Sequence, residues 1–118
     1  MMCEAHTHAH PRARFDPQAG AAEGLALAFL TKYAGLGAHD MATDTDLHES
    51  GEDLLRGYKT LVLTVHPEYW TKRMWLSVEA FLASGGSLAY LGGNGAYRRV
   101  LYGRTKHGAP KLYKLSAD

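Results

Sequence analysis

Apolar positions follow three distinct patterns along this chain. Between residues 21 and 35, Leu25, Leu27, Phe29, Leu30 and Tyr33 recur at helical spacing, and Gly35 or Gly37 ends the run. Residues 59–65 (KTLVLTV) behave differently. Leu61, Val62, Leu63 and Val65 are nearly consecutive, which predicts a strand buried on both faces, as in a parallel sheet. Helical spacing returns over Lys72–Ala83, where Met74, Trp75, Val78, Phe81 and Leu82 form one stripe. Thr71 suits the N-cap of that helix. Trp70 and Trp75 stand at N′ and N4, the spacing of a hydrophobic staple, and Gly85-Gly86 closes the helix.

Shorter elements fill the intervals. A strand is expected near Ala38–Thr43, then one helix within Asp44–Leu55, with a potential break at Gly51 and its end at Gly57. Pro67 disfavours helical backbone at His66, so HPEYW (66–70) reads as a loop. Ser87–Leu91 reads as a strand leading into Gly92-Gly93-Asn94-Gly95, and Arg98–Tyr102 can pair with Lys111–Leu115 around the polar stretch Gly103–Pro110. Residues 1–20 lack periodicity and read as a disordered tail, leaving residues 21–118 as a single α/β domain. Helices alternating with strands predict βαβ units. The expected fold is a three-layer sandwich of flavodoxin-like type with a parallel sheet. It has few strands for that class, as an incomplete domain would.

Composition narrows the function. At 118 residues the chain is one domain long, enough to bury roughly two thirds of its unfolded surface. Thirteen basic residues against twelve acidic ones give a net charge of +1, which provides no field to draw nucleic acid or an anionic membrane. The single cysteine, Cys3, excludes an internal disulfide and fits a reducing cytoplasm. No apolar run approaches the roughly 20 residues of a membrane span, and the histidine-bearing N-terminus is unlike a secretory signal. No serine nucleophile elbow is present and Cys3 lies in the tail, which disfavours a serine- or cysteine-based amidase.

In open α/β sheets ligands bind beyond the carboxyl ends of the strands. Two polar clusters fall there: His66-Pro67-Glu68, and Gly92-Gly93-Asn94-Gly95. A right-handed crossover through Lys72–Ala83 makes their strands parallel and adjacent, so both clusters face one crevice. His66 and Glu68, two residues apart, project to one side of an extended loop. There they can share a metal or act as base and orienter, or else His66 is bonded to backbone in a structural turn. Asn94 can donate its amide to a developing oxyanion, or the glycines around it serve a turn with positive φ. The loop lacks the spacing of a dinucleotide or phosphate loop.

Asp40, Asp44, Asp46, Glu49, Glu52 and Asp53 miss the calcium-loop pattern and read as caps and solvated residues, with His48 facing solvent among them. Tyr58, Tyr69, Tyr90 and Tyr97 gather at the crevice, as packing or as iron-ligating phenolates. His6, His8 and His10 share one side of an extended tail, either solvated or weakly metal-binding.

Three runs taken together are more specific: Thr43–Gly51, Tyr58–Trp70 with its HPEYW, and Gly85–Gly95 with its YLGGNG. Across Leu25 to Tyr97 they resemble the C-terminal, glutamine-amidotransferase-like domain of the large (β) subunit of N,N-dimethylformamidase. The resemblance implies a class I glutamine-amidotransferase-like fold and hydrolysis of N-substituted formamides to formate and an amine. It also implies mononuclear ferric iron held by two tyrosines and a glutamate. Glu68 matches the glutamate ligand. His66 matches a pocket histidine that hydrogen-bonds substrate or shuttles a proton. Asn94 matches the residue that orients the carbonyl or the attacking water, and Lys114 a pocket lysine. The family's two iron-binding tyrosines lie upstream of the matched segment, where this chain has only its histidine-rich tail. Three readings follow. One is an iron-dependent amidohydrolase domain acting on a small amide substrate. Another is a non-catalytic remnant or scaffold, assembling with other subunits or with itself. The third is a small α/β module binding a metabolite at the glycine-rich loop.

Overall fold

The unbroken apolar run after residue 58 becomes a strand covered on both faces, and the other elements are arranged on it. In a computed structural model, residues 2–5, 17–33, 35, 37, 39–108 and 110–114 are described. The elements are β1 (Met2–Ala5), α1 (Pro17–Tyr33), β2 (His39–Met41), α2 (Asp44–Ser50), α3 (Glu52–Leu55), β3 (Tyr58–Val65), β4 (Tyr69–Trp70), α4 (Lys72–Ala83), β5 (Ser87–Gly92), β6 (Arg98–Arg104) and β7 (Pro110–Lys114). None of these helices is long and apolar enough to cross a membrane.

One sheet has the order β2-β1-β3-β5 and a second the order β4-β6-β7. β3 and β5 run parallel, in register from Thr60↔Ser87 to Val65↔Gly92, as the crossover through α4 requires. β1 is antiparallel to both its neighbours, so the fold is mixed α/β: the parallel pairing expected from the sequence holds for β3 and β5 but not for β1 and β2. Met2–Ala5, read as tail, is the strand that makes the difference. β3 lies inside the sheet and its backbone needs partners on both edges. β5 satisfies one edge and β1 the other. Four residues with no apolar alternation give no sequence signal for this. His6, His8 and His10 lie outside the described residues. α1 begins at Pro17, earlier than residue 21.

Leu61 and Leu63 form one core with Leu47, Leu54, Leu55, Met74, Val78 and Phe81, so this face of β3 is covered by α2, α3 and α4. Val62 and Thr64 point to the opposite face by alternation and are also buried. α1 packs against β3. Ala26, Leu27 and Leu30 of α1 are half-buried. Leu25, Phe29 and Tyr33 are exposed, so the broad apolar face read from sequence is only partly used.

Capping sets the helix ends. Thr43 Oγ1 accepts from Asp46 N at 3.2 Å while Asp46 Oδ2 accepts from Thr43 N at 2.8 Å. The helix breaks at Gly51 (φ +61°), where a Cβ would lie 3.1 Å from Arg73 Nε and 3.3 Å from Ser77 Oγ. At α4, Thr71 Oγ1 accepts from Met74 N at 3.2 Å and Thr71 N donates to the Met74 sulfur at 3.4 Å, a thioether in the place usually taken by Glu or Gln. Such a cap contributes about 1 kcal/mol. The staple forms, with the Trp70 and Trp75 rings 6.1 Å apart and nearly perpendicular at 77°. Gly86 N to Phe81 O and Gly85 N to Leu82 O, each 3.0 Å, end the helix in a Schellman motif.

Candidate functional site

The crevice is built where β3 and β5 end side by side. Val65, the last residue of β3, has φ +63°. A β-branched residue in the left-handed region stores about 1–3 kcal/mol of strain, which the surroundings must hold. Gly93 N donates to Val65 O at 2.8 Å, and Gly92 lies directly opposite Val65. A Cβ on Gly92 would run into that same carbonyl oxygen, so only glycine lets the strands approach this closely. The strain turns the chain out of the sheet at His66, whose ring lies against Gly93: a Cβ there would sit 3.1 Å from His66 Cε1.

Further hydrogen bonds join the HPE loop to the glycine-rich loop. Ala96 N donates to Pro67 O at 2.9 Å and Arg98 N to Glu68 O at 3.0 Å, while Glu68 N to His66 O, 2.8 Å, tightens the HPE loop itself. Asn94, at φ +47°, donates from Nδ2 to Glu68 Oε1 at 3.2 Å. Two candidate residues 26 positions apart in sequence therefore touch. His66 and Asn94 are exposed and Glu68 half-buried, so the cluster is open to a ligand. An amide has two N–H donors, so Asn94 keeps one beyond its bond to Glu68.

An apolar groove of about 540 Å³ adjoins the loop, walled by Leu63, Trp75, Leu82, Leu88 and Tyr90, with the backbone of Gly92–Ala96 at its rim. Tyr90 OH donates to Gly93 O at 3.1 Å, tying the groove wall to the loop. Glu79 is the charged residue lining it. Trp75 and Leu82, expected in the core stripe of α4, instead face this groove and are partly exposed.

The remaining sequence candidates fall elsewhere. Lys114 lies on β7 in the second sheet, its backbone opposite Val100, and its side chain is outside the described residues. Tyr58 begins β3, at the other end of the strand from His66, and its hydroxyl donates to Asp40 Oδ2 at 2.6 Å. That corrects its placement at the crevice. Tyr69 and Trp70 are not plain loop: they form β4, parallel to the start of β6. His48 does not face solvent. Its Nδ1 is 2.9 Å from Thr71 Oγ1 and its ring lies 4.8 Å from that of Tyr102. Burial raises the Tyr102 pKa above the usual 10.0, opposed by a hydrogen bond with Thr45 and reinforced by the charge of Asp44.

Among the described residues no three His, Cys, Asp or Glu side chains converge. Glu68 is the carboxylate of this cluster, a hard oxygen donor of the kind iron accepts. Sequence reasoning missed two features. The strain at Val65 has no signal in residue type, since a β-branched residue is among the least expected there. Thr64 Oγ1, buried on β3, has no hydrogen-bond partner among the described residues.

Residues 5–116 match the family described as N,N-dimethylformamidase beta subunit-like, C-terminal. The N,N-dimethylformamidase beta subunit of Paracoccus aminophilus is 45% identical over 62 residues, 50% of this chain. That of an Alcaligenes species is 44% identical over the same length. The matched region is 8% of each relative's own length.

Proposed function

The chain belongs to the N,N-dimethylformamidase beta subunit-like C-terminal family, and from that premise we propose that it carries part of an amide-hydrolysing site. The substrate is an N-substituted formamide such as N,N-dimethylformamide. Water adds to the carbonyl carbon, the C–N bond breaks, and the amine leaves with a proton. The observation that carries this reading is the Glu68–Asn94 hydrogen bond of 3.2 Å, which unites the HPE and GGN motifs beside an apolar groove.

Each residue has a role that its setting supports. Asn94 orients the carbonyl or the attacking water with its remaining N–H. His66, exposed against Gly93, hydrogen-bonds substrate or carries a proton. The groove accommodates the N-alkyl groups. Lys114, on β7, is assigned as a pocket lysine by the resemblance alone. Glu68 is one ligand of iron, a hard ion suited to carboxylate oxygen, and the other ligands come from outside the described residues. In this reading the sheet belongs to a flavodoxin-like, class I glutamine-amidotransferase-like fold.

A second reading, an assembly module working with other subunits, is favoured by the exposed apolar residues Leu88, Tyr90 and Leu91 of β5. The relatives' name, beta subunit, fits it too.

Iron content per chain, measured after iron-replete expression beside the Glu68→Ala variant, tests the first reading. The chain is expected to hold iron below one equivalent. The variant should lose it with little change in melting temperature, because a half-buried loop carboxylate contributes little to the core. Equal iron in both proteins overturns the assignment of Glu68. No iron in either, with concentration-dependent oligomers, favours the assembly reading.

A further inference from the structure

A second pocket, of about 330 Å³, shares Trp70, Trp75 and Ala96 with the apolar groove but has the opposite charge. Lys72, Arg98 and Arg99 line it, and among the described residues no acidic one does. In a chain of net charge +1 this is a local gathering of cations and not a general property of the surface. Among the described residues the ion pair is Arg56 with Asp53, elsewhere on the surface. Among the described residues no carboxylate lies within 4.0 Å of Lys72, Arg98 or Arg99. Cations held together without a counter-charge repel one another, and a bound anion removes that cost.

The backbone holds these groups in place. Arg98 and Arg99 open β6, and parallel pairing with β4 sets Arg99 beside Trp70. Lys72 is the first residue of α4, a 12-residue helix whose N-terminal dipole adds positive potential. The Thr71 hydroxyl is already engaged by Met74 N and His48, so the charged side chains are the available donors. Trp75 is 48% exposed, and its indole stands nearly perpendicular to that of Trp70. The pocket thus offers Arg99, whose guanidinium fork matches carboxylate or phosphate oxygens, with Lys72, next to a flat apolar wall. We propose that it binds an organic anion, with a carboxylate or phosphate monoester held by Arg99 and Lys72 and a planar apolar body against Trp75. This stands apart from the Glu68–Asn94 cluster and does not depend on amide hydrolysis.

The chain has two tryptophans and both line this pocket, so intrinsic fluorescence reports on it directly. Titration with benzoate, phenyl phosphate and neutral benzyl alcohol tests the proposal. At least one of the two anions should give a saturable change that weakens as salt rises, and the tighter one identifies the headgroup. Arg99→Ala and Lys72→Ala should each weaken binding about tenfold, as expected for losing a charge-assisted contact. Both side chains are exposed, so both variants should fold, and either one alone decides the matter. Benzyl alcohol binding as well as the anions, affinities unchanged in the variants, or no saturable change with either anion would each overturn the proposal.

Discussion

β3 and β5 are paired along six residues, yet one is sealed and the other open. Leu61, Val62, Leu63 and Thr64 of β3 are all buried, enclosed by neighbouring strands and by helices. On β5, Leu88, Tyr90 and Leu91 are 39%, 42% and 47% exposed although they too are large apolar or aromatic residues. β3 lies between β1 and β5, whereas β5 is an edge with one strand neighbour among the described residues. An apolar edge without charges is the kind that sheets ordinarily keep covered. The difference teaches where the molecule stops serving its own stability. The His66–Glu68–Asn94 cluster stands on that boundary, supported by the sealed strand and reached from the open one.

The largest test of the contrast is a pair of truncations. Met74→Ala, in the sealed core at 1% exposure, should cost about 2–5 kcal/mol, while Leu91→Ala on β5 should cost less than about 1 kcal/mol. Urea unfolding of both variants checks this, and comparable losses would erase the distinction. Gly92→Ala probes the boundary itself. The added methyl meets the Val65 carbonyl, which is backbone and cannot move aside, so a loss of about 1–3 kcal/mol is expected. Faster hydrogen exchange at the Gly93 amide, which donates to that carbonyl, would locate the damage.

The smallest effect concerns β6, which also has a closed and an open side: Val100 is fully buried and Leu101 is exposed. Tyr102 packs on the closed side against His48. Its phenol holds its proton more firmly in the folded chain than the usual 10.0. Below that pH both states are protonated and Tyr102 adds no pH dependence. Above it the unfolded chain releases its proton first, so stability falls until the raised folded value is passed. Thermal melts above pH 10.0 should show this decline, and Tyr102→Phe should flatten it. An unchanged decline in the variant would assign it to other groups.

Much of the frame was legible because it rests on neighbours in sequence. The Thr71 cap, the Trp70–Trp75 staple and the closure of α4 at Gly85-Gly86 each need residues within one or two turns. The β6–β7 hairpin and the parallel β3–β5 pair followed from short connections and from the handedness of the crossover. The meeting of Glu68 with Asn94 followed from that pair, since both strands end on the same side. α1 was read too simply: its apolar period is real, but nothing local says that Leu25, Phe29 and Tyr33 are left outside.

By itself, the sequence determined the elements whose energetics are local: capped helices, the doubly buried strand β3, the glycine turns and the βαβ link that aligns two polar clusters. Only the tertiary structure decided which distant segments complete them. It put Met2–Ala5 inside the sheet, folded Tyr69–Trp70 onto β6, held Val65 at positive φ, and brought Arg98 and Arg99 to the mouth of α4. The physical reason is the same in each case. A buried backbone group must find a hydrogen-bond partner, and residue type says that one is needed but not which part of the chain supplies it.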